Sequence, residues 1–152
     1  MKKLYFFLVA MILPVAMWAQ MPSAYSLRVL NQTPWPQQYV IFGDELCGPC
    51  GSTYASVTLT IAPMSTITYP NSTPLGGSYP PTMNKGIVGA KILNGPIVCS
   101  PGGGTVGQPP CGLPPSYGYV TIVPGCTPAG PTKATWIPAQ NCELPAQLIF
   151  QP

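Results

Sequence analysis

Proline and glycine are spread so closely along this chain that they limit it to short secondary-structure elements. Of its 152 residues, 22 are proline and 16 are glycine. Proline removes a backbone donor, and both residues disfavour helix interiors. After the first twenty residues, no run of ten with helical periodicity is free of both, apart from runs that already alternate as strands. The spacing therefore predicts many short strands joined by turns.

The segments between these breaks mostly alternate apolar and polar residues, which is typical of a strand with one face on a core and one in water. In 24–31, the side chains of Tyr25, Leu27 and Val29 share one face of the strand, and that face is predicted to point inward. In 55–62, Val57, Leu59 and Ile61 are predicted to face inward, with threonines facing out. The predicted strands are 24–31, 37–43, 55–62, 65–69, 86–94, 97–99, 117–123, 134–137 and 146–150. The segment 100–116 is predicted to be a long loop. Seven to nine short strands predict an all-β protein, an Ig-like β-sandwich.

The N-terminus has the layout of a secretory signal peptide. Lys2 and Lys3 precede an apolar run over 4–13, and the small residues Ala16 and Ala19 follow. We predict a signal peptide over 1–19 that is cleaved after Ala19, and a single domain over 20–152. The apolar run is too short for a membrane span, so no transmembrane segment is expected after cleavage. The expected location is secreted, periplasmic or cell-surface.

Six cysteines follow the predicted cleavage site. An even number of cysteines in an exported chain predicts disulfides, here three. The sequence leaves their pairing open, although the Gly- and Pro-rich segment 100–116 is expected to fold back through a Cys99–Cys111 bridge. The residues expected to be bridged are Cys47, Cys50, Cys99, Cys111, Cys126 and Cys142.

The segment from Cys47 to Cys50 is Cys-Gly-Pro-Cys, which is similar to the active-site tetrapeptide of the thioredoxin family. That resemblance implies a redox-active pair whose first cysteine has its pKa lowered by a helix N-terminus. Here Leu46 stands where the family usually has Trp, strand-like residues follow, and Asp44 and Glu45 would oppose a thiolate. We expect a turn with structural cysteines. The alternative is a periplasmic thiol–disulfide oxidoreductase that uses Cys47 and Cys50.

The small number of charged residues excludes several function classes. After removal of the predicted signal peptide, four cations face three carboxylates, a formal balance of +1. Without a basic stripe, nucleic-acid binding is disfavoured. The chain has no histidine, which excludes Ser-His and Cys-His nucleophiles. No metal site or cofactor is predicted, because Cys47 and Cys50 lack further ligands. Nothing in the sequence sets Asp44 or Glu45 opposite Glu143 as an acid/base pair, so we predict no catalytic residues and no enzyme.

Two aromatic residues stand in turn-like segments and are the candidate binding residues. Trp35 lies between prolines, and Tyr79 lies in Ser-Tyr-Pro-Pro-Thr. Exposed Trp and Tyr side chains can stack on sugar rings or anchor a protein partner. In contrast, Tyr117, Tyr119 and Trp136 fall within predicted strands and are expected in or at the edge of the core.

The segments "LRVLNQT" and "VTLTIAPMSTITYP" resemble, in their rhythm of strand and Pro-centred turn, small secreted β-sandwich proteins of Bacteroidota. The resemblance implies the fold and export but carries no functional residue across. The sequence thus predicts a secreted or cell-surface, non-enzymatic structural or binding module. Its partner would be a glycan, another surface protein, or a second copy that adds to an edge strand.

Overall fold

A computed structural model describes residues 23–99 and 101–152, and the regular secondary structure of this part of the chain consists of strands and a few short 3-10 helices. The predicted signal peptide over 1–19 lies outside the described residues. Within them, no helix is long and apolar enough to cross a bilayer. The strands are β1 (Ser26–Asn31), β2 (Gln37–Asp44), β3 (Tyr54–Ala55), β4 (Leu59–Ile61), β5 (Ser65–Tyr69), β6 (Gly86–Leu93), β7 (Gly103–Gly107), β8 (Ser116–Val123), β9 (Thr127–Ile137) and β10 (Pro145–Gln151). Short 3-10 helices span Thr73–Leu75, Ile97–Cys99 and Pro109–Cys111.

The strands form two sheets. Sheet I has the order β5-β1-β10-β9-β8, and sheet II has the order β3-β2-β6-β7, with β4 also paired to β2. β1 lies inside sheet I between β5 and β10, parallel to β10 and antiparallel to β5. The first and last described strands are therefore direct neighbours, and the sheet is complete only when both β1 and β10 are in place.

The inward rows of both sheets meet in one core. Leu27 and Val29 of β1 are fully buried, as predicted, and so are Tyr39 and Ile41 of β2. The Tyr39 ring lies 5.9 Å from that of Phe150, which joins β2 of sheet II to β10 of sheet I. Burying one large apolar side chain stabilises by about 1.5–3 kcal/mol, so the shared core holds the two sheets together. The all-β prediction is confirmed.

The predicted strand 55–62 is interrupted in the structure, and the predicted alternation of inward and outward side chains is only partly confirmed. The Ser56 N–H donates to the Ile41 carbonyl (2.8 Å), and its hydroxyl accepts from the Ile41 N–H (2.9 Å). These bonds turn the chain away from regular pairing, so the segment gives the separate strands β3 and β4. Val57, predicted to face inward, is 52% exposed, whereas Ile61 is buried. Tyr25 is also more exposed than predicted, because it lies just before β1.

Two further differences surround the Gly- and Pro-rich segment. Residues 97–99 form a 3-10 turn rather than a strand. The predicted loop over 100–116 contains β7, which pairs antiparallel with β6 from Gly89↔Gly107 to Leu93↔Gly103. Glycine disfavours strands, but β6 supplies hydrogen-bond partners along β7, and this pairing outweighs the low strand preference of the glycines.

Candidate functional site

The Cys-Gly-Pro-Cys tetrapeptide lies in the turn after β2. The Gly48 N–H donates to the Glu45 carbonyl (2.9 Å), and Cys47 has a positive φ of 58°. Cys47 is bonded to Cys142 and Cys50 to Cys111, with Cα–Cα distances of 5.3 and 5.2 Å. The tetrapeptide therefore starts two long-range bridges and is not closed into a ring of its own. This geometry gives no support to exchange between the two sulfurs.

The six cysteines are all bridged, as predicted, but the expected Cys99–Cys111 pairing is wrong. Cys99 is bonded to Cys126 instead. Cys99 precedes β7 and Cys111 follows it. The strand β7 runs along β6 between the two cysteines and rises by about 3.3 Å per residue, so the segment does not fold back on itself as the predicted loop would. The bridge from Cys99 instead ties the connection after β6 to the turn between β8 and β9.

A charged cluster lies beside the tetrapeptide. The Lys85 ammonium donates to both carboxylate oxygens of Glu45 (2.7 Å each) and lies 5.2 Å from the Tyr54 ring centroid. The Tyr54 hydroxyl also donates to Glu45 (2.8 Å). These donors lower the pKa of Glu45, and the carboxylate in turn raises the pKa of Lys85. The Lys85 and Glu45 charges pair with each other, so the cluster ties the loop after β2 to the start of β6.

The two predicted binding aromatics are not presented at the surface as expected. Tyr79 is only 3% exposed and stacks on Tyr54 at 5.7 Å, so the prediction of an exposed ring is wrong there. Burial raises the pKa of Tyr79. Trp35 is half-buried, and its ring covers Gly130, where the missing side chain makes room for it. Tyr119 and Trp136 are buried and Tyr117 is half-buried, as predicted.

A buried polar network runs between the sheets near Trp35. The Gln37 amide donates to the hydroxyls of Thr33 (2.9 Å) and Thr121 (3.1 Å). Its oxygen accepts from the Tyr119 hydroxyl (2.7 Å), and Thr121 is bonded to Thr132 (2.7 Å). Gln37 is 1% exposed, so no solvent or ligand reaches this network from outside. Because its donors and acceptors are satisfied internally, the network fixes the packing of the two sheets.

The outer face of sheet II, which points away from the core, carries the open concavity that we call the outer groove. Its volume is about 460 Å³, and it is lined by Val40, Thr58, Lys91, Leu93, Ile97 and Pro101. Val40 of β2 is directly opposite Lys91 of β6, so the two side chains share the floor. Lys91 is exposed, and within the described residues the ion pair that the structure shows is Lys85–Glu45. The described lining of the groove is therefore mostly aliphatic, with the hydroxyl of Thr58 and the ammonium of Lys91 as its polar side-chain groups.

One wall of the outer groove comes from a connection that a disulfide fixes. Ile97 is 65% exposed and its neighbour Val98 is 88% exposed, in the turn that ends at the bridged Cys99. A second, smaller concavity of about 190 Å³ adjoins the Cys50–Cys111 bridge and includes Phe42 and Leu113. Sequence reasoning missed Lys91 and Ile97. The available signal was Lys91 itself, a lone cation at an outward position of an otherwise apolar strand.

No group of three or more His, Cys, Asp or Glu side chains that could hold a metal ion is found in 23–99 and 101–152. Comparison of the chain with protein-family models, with curated proteins and with solved structures found no match.

Proposed function

We propose that this chain is a secreted or cell-surface, non-enzymatic binding module with an Ig-like sandwich fold, and that the outer groove receives its partner. The observation that carries the proposal is the groove itself, an open and mostly aliphatic concavity with one cation, one wall of which is a connection that the Cys99–Cys126 bridge fixes. Fixed walls favour binding because less conformational entropy is lost when a partner docks. Three disulfides also suit an oxidising compartment.

The chemistry of the groove favours a polypeptide partner over a sugar. Its apolar wall at Ile97 and Leu93 suits a large aliphatic or aromatic side chain, and Lys91 suits an adjacent carboxylate. Sugar rings are commonly held by stacking on exposed aromatic rings. Among the described residues, the groove lining has no aromatic side chain, and Tyr79 is buried. We therefore take the partner to be a surface protein that offers an apolar side chain beside an acidic group.

A random peptide library and a glycan array, both probed with the oxidised protein, test this function. We expect the enriched peptides to share a large apolar residue next to Asp, Glu or a free C-terminus. The Lys91→Glu variant should weaken binding of these peptides by about tenfold, or about 1.4 kcal/mol, because attraction becomes repulsion. Lys133→Glu makes the same charge change on an exposed residue of β9 in sheet I and should leave peptide binding unchanged.

Two results would contradict the proposal. Binding on the glycan array without peptide enrichment would move the function to a lectin-like class. Peptide binding that is equally strong in Lys91→Glu would place the partner elsewhere. The oxidoreductase alternative has its own signature: peptide mapping would find a Cys47–Cys50 bridge in place of Cys47–Cys142 and Cys50–Cys111. That bridge would open under mild reductant and alkylate near neutral pH, while Cys99–Cys126 stays bridged.

A further inference from the structure

The edge strands of the two sheets differ in how well they are protected against pairing with another chain. On sheet II, β3 and β4 have only two and three residues, and β7 lies against β8 and β9 of sheet I. On sheet I, β8 carries a bulge after Thr121, and the N–H of Ile122 donates outward to the Asn94 carbonyl (2.7 Å). Short strands, bulges and covering segments are ways in which proteins keep an edge from pairing with another chain.

The remaining edge, β5, has none of these devices. It is a regular five-residue strand, Ser-Thr-Ile-Thr-Tyr, that pairs with β1 on one side and with no described strand on the other. It contains no proline and no charge, and the sequence has no charged residue anywhere between Glu45 and Lys85. Thr66 and Thr68 are exposed, and both are β-branched residues that favour strands. The edge is thus open to strand addition.

We propose that β5 pairs antiparallel with β5 of a second copy of this chain across a two-fold axis at Ile67. The pattern of the strand is nearly palindromic about that residue, so Thr66 of each copy lies opposite Thr68 of the other. Because Thr68 is opposite Arg28 and Thr66 opposite Leu30 in sheet I, both threonines are on its outer face. On the inner face of the sheet, Ile67 of one copy lies opposite Ile67 of the other. The paired sheet is continuous through both copies. Because the two-fold contact uses the β5 edge of each copy, the assembly ends at a dimer.

The residues that flank β5 support a second copy as the occupant. In this register, Met64 of one copy lies opposite Pro70 of the other. Met64 is 72% exposed, and in this register the second copy would cover its side chain. Because 46–84 carries no charge, the two paired β5 strands themselves bring no like charges together.

Sedimentation and charge substitution test this pairing on the oxidised protein. We expect the wild type to form dimers reversibly between about 1 and 500 µM, a range set by the small size of the contact. The variant Thr66→Lys/Thr68→Lys places like charges opposite each other twice, and should raise the dimer dissociation constant by about tenfold or more. Mixing it with Thr66→Glu/Thr68→Glu should restore a dimer that contains one copy of each.

The control carries the same added charge on exposed threonines of other strands, Thr60→Lys/Thr127→Lys, and should dimerise like the wild type. Hydrogen exchange on the wild type gives a readout that needs no variant: protection gained on raising the concentration should be confined to 65–69. A wild type that stays monomeric to about 500 µM overturns the proposal. A dimer that ignores the lysines, or protection gained at another strand, overturns it as well.

Discussion

Cys50 is bonded to Cys111, 61 positions further along the chain, and not to Cys47 in the same turn. Cys47 is bonded to Cys142, which lies in the turn that leads into β10. The turn after β2 therefore anchors two distant segments: the connection between β7 and β8, and the approach to the last strand. The tetrapeptide acts in the structure as a junction of the fold.

The three disulfides should contribute unequally to stability. In the chain-entropy model, a bridge stabilises more when it closes a longer loop, and the loops here span 95, 61 and 27 positions. For a bridge acting alone, the model gives about 4.7 kcal/mol for Cys47–Cys142, about 4.3 for Cys50–Cys111 and about 3.6 for Cys99–Cys126. Because Cys47–Cys142 and Cys50–Cys111 start in the same turn, each shortens the loop that the other closes. We therefore expect Cys47→Ser/Cys142→Ser and Cys50→Ser/Cys111→Ser to lose similar amounts of the free energy of unfolding, below those values, and Cys99→Ser/Cys126→Ser to lose the least. Denaturant unfolding of the three double variants measures the order. If Cys99→Ser/Cys126→Ser is the least stable, the entropic account fails for this protein.

The Lys85–Glu45 pair should make stability fall in acid. The Lys85 ammonium and the Tyr54 hydroxyl hold the pKa of Glu45 below its ordinary value of 4.5. A lowered pKa gives stability that is present above that ordinary value and is lost as pH falls below it through the folded-state pKa. We therefore expect the free energy of unfolding to fall less steeply in Glu45→Gln than in the wild type below about pH 4.5. Urea unfolding at several pH values measures the slope.

The matched control for that slope is Glu143→Gln. Glu143 is exposed and is not part of the ion pair that the described residues show, so its removal should keep the wild-type slope. An acid slope in Glu45→Gln equal to that of the wild type would contradict the role assigned to the pair. At the alkaline end the sign is opposite: the raised pKa of Lys85 gives stability below its ordinary value of 10.5, which is lost as pH rises through the folded-state pKa.

Gln37 should be far more costly to replace than its neighbour Gln38. Gln37→Leu leaves the buried Tyr119 hydroxyl without its acceptor and breaks the bond to Thr121. We expect a loss of about 2–4 kcal/mol in the free energy of unfolding. The buried side-chain oxygen of Gln38 has no hydrogen-bond partner in the described structure, so Gln38→Leu should change stability by less than about 0.5 kcal/mol or increase it. Equal losses in both variants would show that the network is unimportant.

The placement of Trp35 can be tested through the glycine beneath it. A Cβ at Gly130 would enter the space of the Trp35 ring, so Gly130→Ala should push the ring into solvent. We expect a red shift of tryptophan fluorescence and a loss of about 1–3 kcal/mol in the free energy of unfolding. Gly118→Ala is the control, since a Cβ there meets nothing within 4 Å. Unchanged fluorescence in Gly130→Ala would show that Trp35 does not rest on this position.

The local sequence pattern was sufficient to predict a strand where apolar and polar residues alternate along it, because pairing with neighbouring strands does not change that pattern. The row containing Leu27 and Val29, and the regular strand from Ser65 to Tyr69, were both predictable because side chains on a strand repeat with a period of two. β7 was not predictable in this way. Its glycines give no alternation, and it is a strand only because β6 offers a ladder beside it. Ser56 likewise ends regular pairing through bonds to Ile41, a residue that the local pattern does not reveal.

By itself, the sequence determined that the chain is all-β and that its six cysteines are bridged, because strand periodicity and cysteine number are local or compositional properties. Only the tertiary structure decided which cysteines pair, because a disulfide needs Cα atoms about 4.4–6.8 Å apart and strand order sets that distance. It also decided that Tyr79 is buried, that Trp35 covers Gly130, and that Lys91 lies on the floor of the outer groove. Exposure depends on what packs across from a residue, and those neighbours come from distant parts of the chain.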